Sequence, residues 1–279
     1  MLTSAMLRSS VMRRTLLSFL AALVLVALHP ARGACAPAAA AGDSSELVVF
    51  ENDVPVATEQ NVFQNMGDSL VVVATTHRSF QDERGAKHPL QKSMLLVVDS
   101  RDLGLIHYLS TQDFNGHQII RGLIPGDTSM TYYIEMDGGG NADRVVQPPG
   151  RLFVMDSQMF SLFDVVSRSL ARKTFTTRRV QLLALLPDSL ASPLATVTAL
   201  GADTLLVAGK KQKVQHYTFE DPSARFELWS DSQGRLVRLV HPGSGLRVER
   251  VPTAAAAAGP PKPAHKPPAT RKASAATAH

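Results

Sequence analysis

The chain has 279 residues, with 29 Lys or Arg against 24 Asp or Glu and a formal charge of +5. Residues 1–41 hold Arg8, Arg13, Arg14 and Arg32 and no acid, and residues 253–279 hold Lys262, Lys266, Arg271 and Lys272 and again no acid. The 21 basic residues left between 43 and 252 face all 24 acids, a net of about −3, which excludes a nucleic-acid-binding domain with a basic folded face.

Met12-Arg13-Arg14 precedes an apolar stretch from Leu16 to Leu28 that ends at Pro30. A short basic start, an apolar core of this length and small residues after it predict a secretory signal and cleavage region over 1–41. A start at Met12 would keep every feature such a signal needs. As a helix the stretch would reach roughly 20 Å, short of the ~30 Å hydrocarbon layer. Cys35 is the sole cysteine, so the mature domain has no disulfide, no thiol nucleophile and no Cys metal site. A lipidated Cys35 is a weaker alternative to simple cleavage, because Arg32 stands where lipoprotein signals carry Leu. The expected location is therefore the periplasm or cell envelope of a bacterium, with a protein that is soluble after cleavage.

Residues 43–252 form the expected single β-rich domain. Asn52-Asp53, Gly67-Asp68 and Asn115-Gly116 are hairpin signals between strand-like runs, Asn-Gly being the strongest of its kind. Leu70-Val71-Val72-Val73 and Met94-Leu95-Leu96-Val97-Val98 centre two of those runs. Further strand-like runs are 104–111, 117–123 and 129–135, then 174–186, 195–200, 204–207, 213–219, 225–230, 235–240 and 245–251. Ten to twelve short strands with tight turns predict one curved antiparallel sheet, a half-barrel or open barrel.

One segment breaks this rhythm. Between Asp156 and Leu170 the apolar residues Met159, Leu162, Phe163, Val166 and Leu170 follow helical spacing, with Asp156 as the expected N-cap. This lone amphipathic helix is expected to pack its stripe on the concave face of the sheet. An apolar pocket left in that seam would be lined by Phe160, Leu162, Phe163 and Val166, with Phe226 and Trp229 opposite.

The tail, 253–279, runs from five alanines into Pro260-Pro261-Lys262-Pro263 and Lys266-Pro267-Pro268. Its prolines forbid a helix, and it holds no side chain able to offset the ordering entropy, so it reads as a disordered, positively charged linker. Its candidate partner is an anionic membrane or cell-wall surface.

Asp156 with Leu162-Phe163, followed by Trp229, Gly234, Arg235, Leu236 and Arg238, resembles a group of uncharacterised exported bacterial proteins related to the LolA/LolB-like half-barrels. The opening Phe50-x3-Val54-Pro55-Val56-Ala57-Thr58-Glu59 is similar to their first hairpin, with Ala57 where that group often has Gly. The resemblance spans most of 45–251. It implies a half-barrel fold and, more remotely, the shielding of a lipid or other apolar small molecule.

Motifs for chemistry are weak. His107 and His117 flank the Asn115-Gly116 turn, and with Asp113 they are the candidate metal or hydrolase site. Asp137-Gly138-Gly139-Gly140-Asn141-Ala142-Asp143 departs from a calcium loop and reads as a flexible glycine loop. Gly243-Ser244-Gly245 lacks the strand-to-helix context of a nucleophile elbow. Lys210-Lys211-Gln212-Lys213 is a basic hairpin tip, a candidate contact for anionic headgroups. No motif for a cofactor is present. The leading expectation is a non-enzymatic exported domain holding an apolar ligand. A hydrolase and a structural envelope component tethered by its tail are the alternatives.

Overall fold

A computed structural model describes residues 42–81, 84–187, 189–207 and 209–251. The predicted signal, Cys35 and the basic tail lie outside the described residues.

The chain begins with a run of hairpins: β1 (Asp43–Glu51), β2 (Val54–Met66), β3 (Ser69–Gln81), β4 (Lys87–Asp99), β5 (Leu105–Phe114), β6 (His117–Pro125), β7 (Ser129–Met136) and β8 (Gly139–Val146). Its tightest turns sit where sequence chemistry allows positive φ: 49° and 66° at Asn52-Asp53, and 56° and 80° at Asn115-Gly116. The pair Asp137-Gly138, at 49° and 84°, makes another such turn. The expected flexible glycine loop is therefore a hairpin, with Gly139–Val146 as a regular edge strand.

After β9 (Leu152–Asp156) comes α1 (Ser161–Ala171), then β10 (Thr177–Leu185) and β11 (Leu190–Ala191). The long hairpin β12 (Leu194–Val207) and β13 (Lys210–Glu220) follows, then β14 (Arg225–Ser230), β15 (Leu236–His241) and β16 (Leu246–Val251). All sixteen strands join one sheet. Its path runs β11-β10-β12-β13-β14-β15-β16-β1-β2-β3-β4-β5-β6-β7-β8, and β9 joins by pairing with β10. Pairing is antiparallel except for β9 with β10. A parallel neighbour requires a crossover, and α1 is that crossover, which accounts for the single α-helix among the described residues. The path ends at β8 and at β11, so the sheet is open.

The mainly β architecture with one helix on the concave face stands as the sequence led us to expect. Three details differ. There are more strands than ten to twelve, because short β9 and β11 carry no turn-bounded alternation. The runs 195–200 and 204–207 are one strand, bent at a bulge where Gly201 takes φ of 100°. The helix starts at Ser161, so Asp156 is the end of β9 and not its N-cap.

Inward residues alternate along the first long strands. On β3 these are Leu70, Val72, Ala74 and Thr76, and on β4 they are Leu90, Lys92, Met94, Leu96 and Val98. Leu70, Val72, Ala74, Met94, Leu96 and Val98 meet Leu162, Val165, Val166 and Leu170 of the helix in one continuous core. A second, smaller cluster of Leu205, Val214, Trp229 and Val237 lies apart from it.

Candidate functional site

The polar interior of the sheet is its most distinctive feature, and it is built from strand register. Glu59 faces Thr76, and Thr76 faces Lys92, so β2, β3 and β4 carry three polar side chains in one inward row. All three are fully buried. The Lys92 ammonium pairs directly with Asp156 Oδ1 and donates to the Ser157 carbonyl at 2.8 Å. Asp156 Oδ2 accepts the Tyr108 hydroxyl at 2.6 Å and the Ser110 hydroxyl at 2.9 Å. Both side chains of the ion pair have no solvent exposure. Burial pulls the Lys92 pKa down against the opposing charge of Asp156, and burial with that same charge drives Tyr108 well above its ordinary value.

Glu59 does the work expected of Asp156. Its two carboxylate oxygens accept the N–H groups of Phe160 and Ser161 at 2.6 and 2.7 Å, so a strand 101 residues away caps the helix. The helix has no side-chain cap of its own, and a carboxylate there also meets the positive end of the helix dipole. The Thr76 hydroxyl lies 3.1 Å from Glu59 Oε2 and 2.9 Å from the Gln158 carbonyl, able to donate to one of them at a time. Burial raises the Glu59 pKa despite the lowering pull of these hydrogen bonds.

Further along the helix, buried Asp164 accepts the Leu236 N–H at 3.0 Å and Arg168 Nε at 3.1 Å, and it pairs with Arg250. Arg168 also pairs with Asp43 of β1 and lies 4.0 Å over the Phe63 ring. Contacts to β2, β4, β15, β16 and β1 thus hold α1 and its entry turn over their whole length.

The six residues expected to line an apolar seam divide. Leu162 and Val166 are buried in the core, and Phe160 occupies the N-cap. Phe163 and Phe226 do come together, with ring centroids 5.1 Å apart and Phe219 5.8 Å from Phe163. Trp229 is not with them. Strand parity sends Phe226 and Leu228 inward and Trp229 outward, where it stacks on His216 at 4.3 Å and donates Nε1–H to Asp203 at 2.9 Å. The distal part of the β12–β13 hairpin folds over it. Between helix and sheet, the void near Leu96, Leu103, Phe153 and Leu162 is about 10 Å³, barely the space of one water. An open cleft of about 380 Å³, by contrast, lies beside the helix's C-terminal turn, between Arg168 and Ala171 and the sheet residues Asp43, Phe63 and Leu70.

The His–Asp site is not assembled. His107 and His117 lie toward opposite ends of the β5 ladder, where His107 faces Val97 and His117 faces Phe114. His117 bonds Asp137 at 2.9 Å, and Asp113 accepts the Gly116 N–H of its own turn. Among the described residues no three His, Cys, Asp or Glu side chains could share a metal ion. Ser244 sits in a short 3-10 turn, 2.8 Å from His241 Nδ1, far from any elbow. Lys210, Lys211 and Lys213 do form the basic tip of the β12–β13 hairpin.

Sequence reading missed Glu59, Lys92, Tyr108, Ser110 and Asp156 as one constellation. Parity was the available signal. Lys92 shares its face with Leu90, Met94, Leu96 and Val98, and Glu59 shares its face with Ala57 and Phe63. A charge on the apolar face of a strand requires a buried partner.

Among the described residues the molecule is mainly β, one open, largely antiparallel sheet with a helix on its concave face. No protein-family model matches the chain, and no curated protein matches it. Among solved structures it is similar to a β-barrel-like protein of domain of unknown function DUF1849 from Brucella abortus. The identity there is 8%, with a TM-score of 0.49, covering 75% of this chain and 94% of that one. It is also similar to a DUF1089 family protein from Pseudomonas aeruginosa, at 14% identity and a TM-score of 0.41, covering 77% of this chain and 98% of that one.

Proposed function

We propose that the chain is an exported, non-enzymatic scaffold of a bacterial cell envelope, kept near an anionic surface by its basic tail. The observation that carries this reading is the packed seam under the helix's apolar stripe, where the void holds about 10 Å³. The cleft of about 380 Å³ at the helix's C-terminal end is open and lined by Asp43, Arg168 and Arg172, a poor match to an acyl chain. Lys92 and Asp156, the most reactive-looking pair in the chain, have no solvent exposure through which a substrate could reach them. A lipid-carrier role of the LolA/LolB kind would require α1 to leave the sheet, which would take from buried Glu59 the N–H groups of Phe160 and Ser161 and from Arg250 its partner Asp164. The signal-like segment around Leu16–Leu28 and the four cations of the tail support the envelope part of the reading.

Native mass spectrometry of the protein, isolated gently from an exported fraction, tests the reading. The expected spectrum shows the polypeptide mass alone, before and after incubation with envelope lipids. A lipid adduct released on unfolding would overturn the scaffold and make the protein a carrier. Deleting residues 253–279 is expected to abolish any salt-sensitive retention on envelope membranes.

A further inference from the structure

The outer face of the first hairpins is the inverse of the inner one. Val62 faces Val73, Val73 faces Leu95, Leu95 faces Leu109, Leu109 faces Gly122 and Gly122 faces Tyr133, one row in direct register across β2 to β7. No member is charged. Val62 and Val73 are 42% and 45% exposed. At Gly122 the row would have a notch, but the Tyr133 ring lies across it: a Cβ there would stand 2.1 Å from the ring. The ridge is therefore unbroken. The Tyr133 hydroxyl is buried in it without a hydrogen-bond partner among the described residues.

Sequence chemistry points the same way. A strand with one wet face alternates apolar and polar residues, whereas one covered on both faces reads as a continuous apolar run. Leu70–Val73 and Met94–Val98 are continuous runs. Their inner residues meet the core and α1, and no described element covers their outer ones.

We propose that this outer face is a homodimer interface, in which the row packs on the same row of a second copy about a twofold axis. Three features select a second copy. The centre carries no charge, so identical surfaces meet without like-charge conflict. The rim is mixed, with Asp99, Asp113 and Glu135 beside Arg144, a pattern suited to a protein partner and adverse to anionic headgroups. The footprint suits a modest interface. Five strand spacings of ~4.8 Å by three outward rows cover roughly 24 by 20 Å, about 480 Å² before side-chain relief, below the ~800 Å² that a standard interface takes from each partner. The interface is separate from the interior, so it stands or falls independently of the scaffold reading.

Sedimentation velocity of the full exported chain, from about 1 to 100 μM, tests the proposal within the usual range of specific association. The wild type is expected to sediment as a dimer. Leu95→Lys and Val73→Lys, both at outward positions, should each weaken association at least ~100-fold with an unchanged far-UV spectrum, since each places a like charge on both copies. Val54→Lys, at a 60% exposed site outside the row, should leave the dimer intact. Should Leu95→Lys misfold, the already exposed Val73 site decides. A wild type that stays monomeric at the highest concentration overturns the proposal, as does a dimer indifferent to both lysines.

Discussion

Lys92 and Leu95 lie three residues apart on one strand and face opposite ways. The side filled by protein carries the charge, and the side open to solvent carries the leucine. The usual rule places them the other way round. Lys92 is tolerable inside because Asp156, Tyr108, Ser110 and the Ser157 carbonyl surround it with partners, and because the pairing ties β4 and β5 to the end of β9 just ahead of the helix. A buried pair of this kind adds little net stability over an apolar one, but it is expensive to break from one side. Its use here is positional: it fixes where the helix enters.

That contrast can be broken first from the inside. Lys92→Met leaves Asp156 buried without its cation and should cost about 3–5 kcal/mol in urea unfolding, whereas the double change Lys92→Met with Asp156→Leu should recover most of the loss. Gly234→Ala comes next. Gly234 takes φ of 77°, and an added Cβ would stand 2.7 Å from Ala171 Cβ and 3.0 Å from Arg168 Cα, so a loss of about 2–3 kcal/mol is expected in the same measurement.

Glu59→Gln sharpens the account through pH. Burial raises the folded pKa of Glu59 above its ordinary 4.5, so between the two values the folded state holds more protons than the unfolded one. Wild-type stability should therefore fall as pH rises from about 4.5 through the folded pKa, and the Gln variant should lose that slope. The smallest effect belongs to the outside. Val73→Lys, at a 45% exposed outward site, should change the stability of the protomer by no more than about 0.5 kcal/mol, although it sits between the buried Val72 and Ala74.

Much of the fold was legible from residue types. Asn52-Asp53 and Asn115-Gly116 turn where their φ tolerance permits, and the stripe from Met159 to Leu170 marks α1. The motif running from Trp229 to Arg238 is structural: Asp231 closes its turn by bonding the N–H groups of Gln233 and Arg235, Gly234 abuts the helix, and Arg238 pairs with Glu249. The helix cap was not legible, because Asp156 has the right residue type at the right spacing. Choosing between it and Glu59 depends on contacts 101 residues apart in sequence. Trp229 was misplaced for a simpler reason. It was grouped with Phe226, three residues away on the same strand, and strand parity sends the two to opposite faces.

α1 is a fixed plug, latched at its entry by Glu59 and along its length by the Asp164–Arg250 and Arg168–Asp43 pairs. Native-state hydrogen exchange of the Val165–Leu170 amides tests this latch most directly. Protection equal to the free energy of global unfolding, reduced in step by Lys92→Met, is the predicted result. Exchange through a local opening several kcal/mol cheaper than global unfolding would show a helix that leaves the sheet on its own, and would contradict the latch.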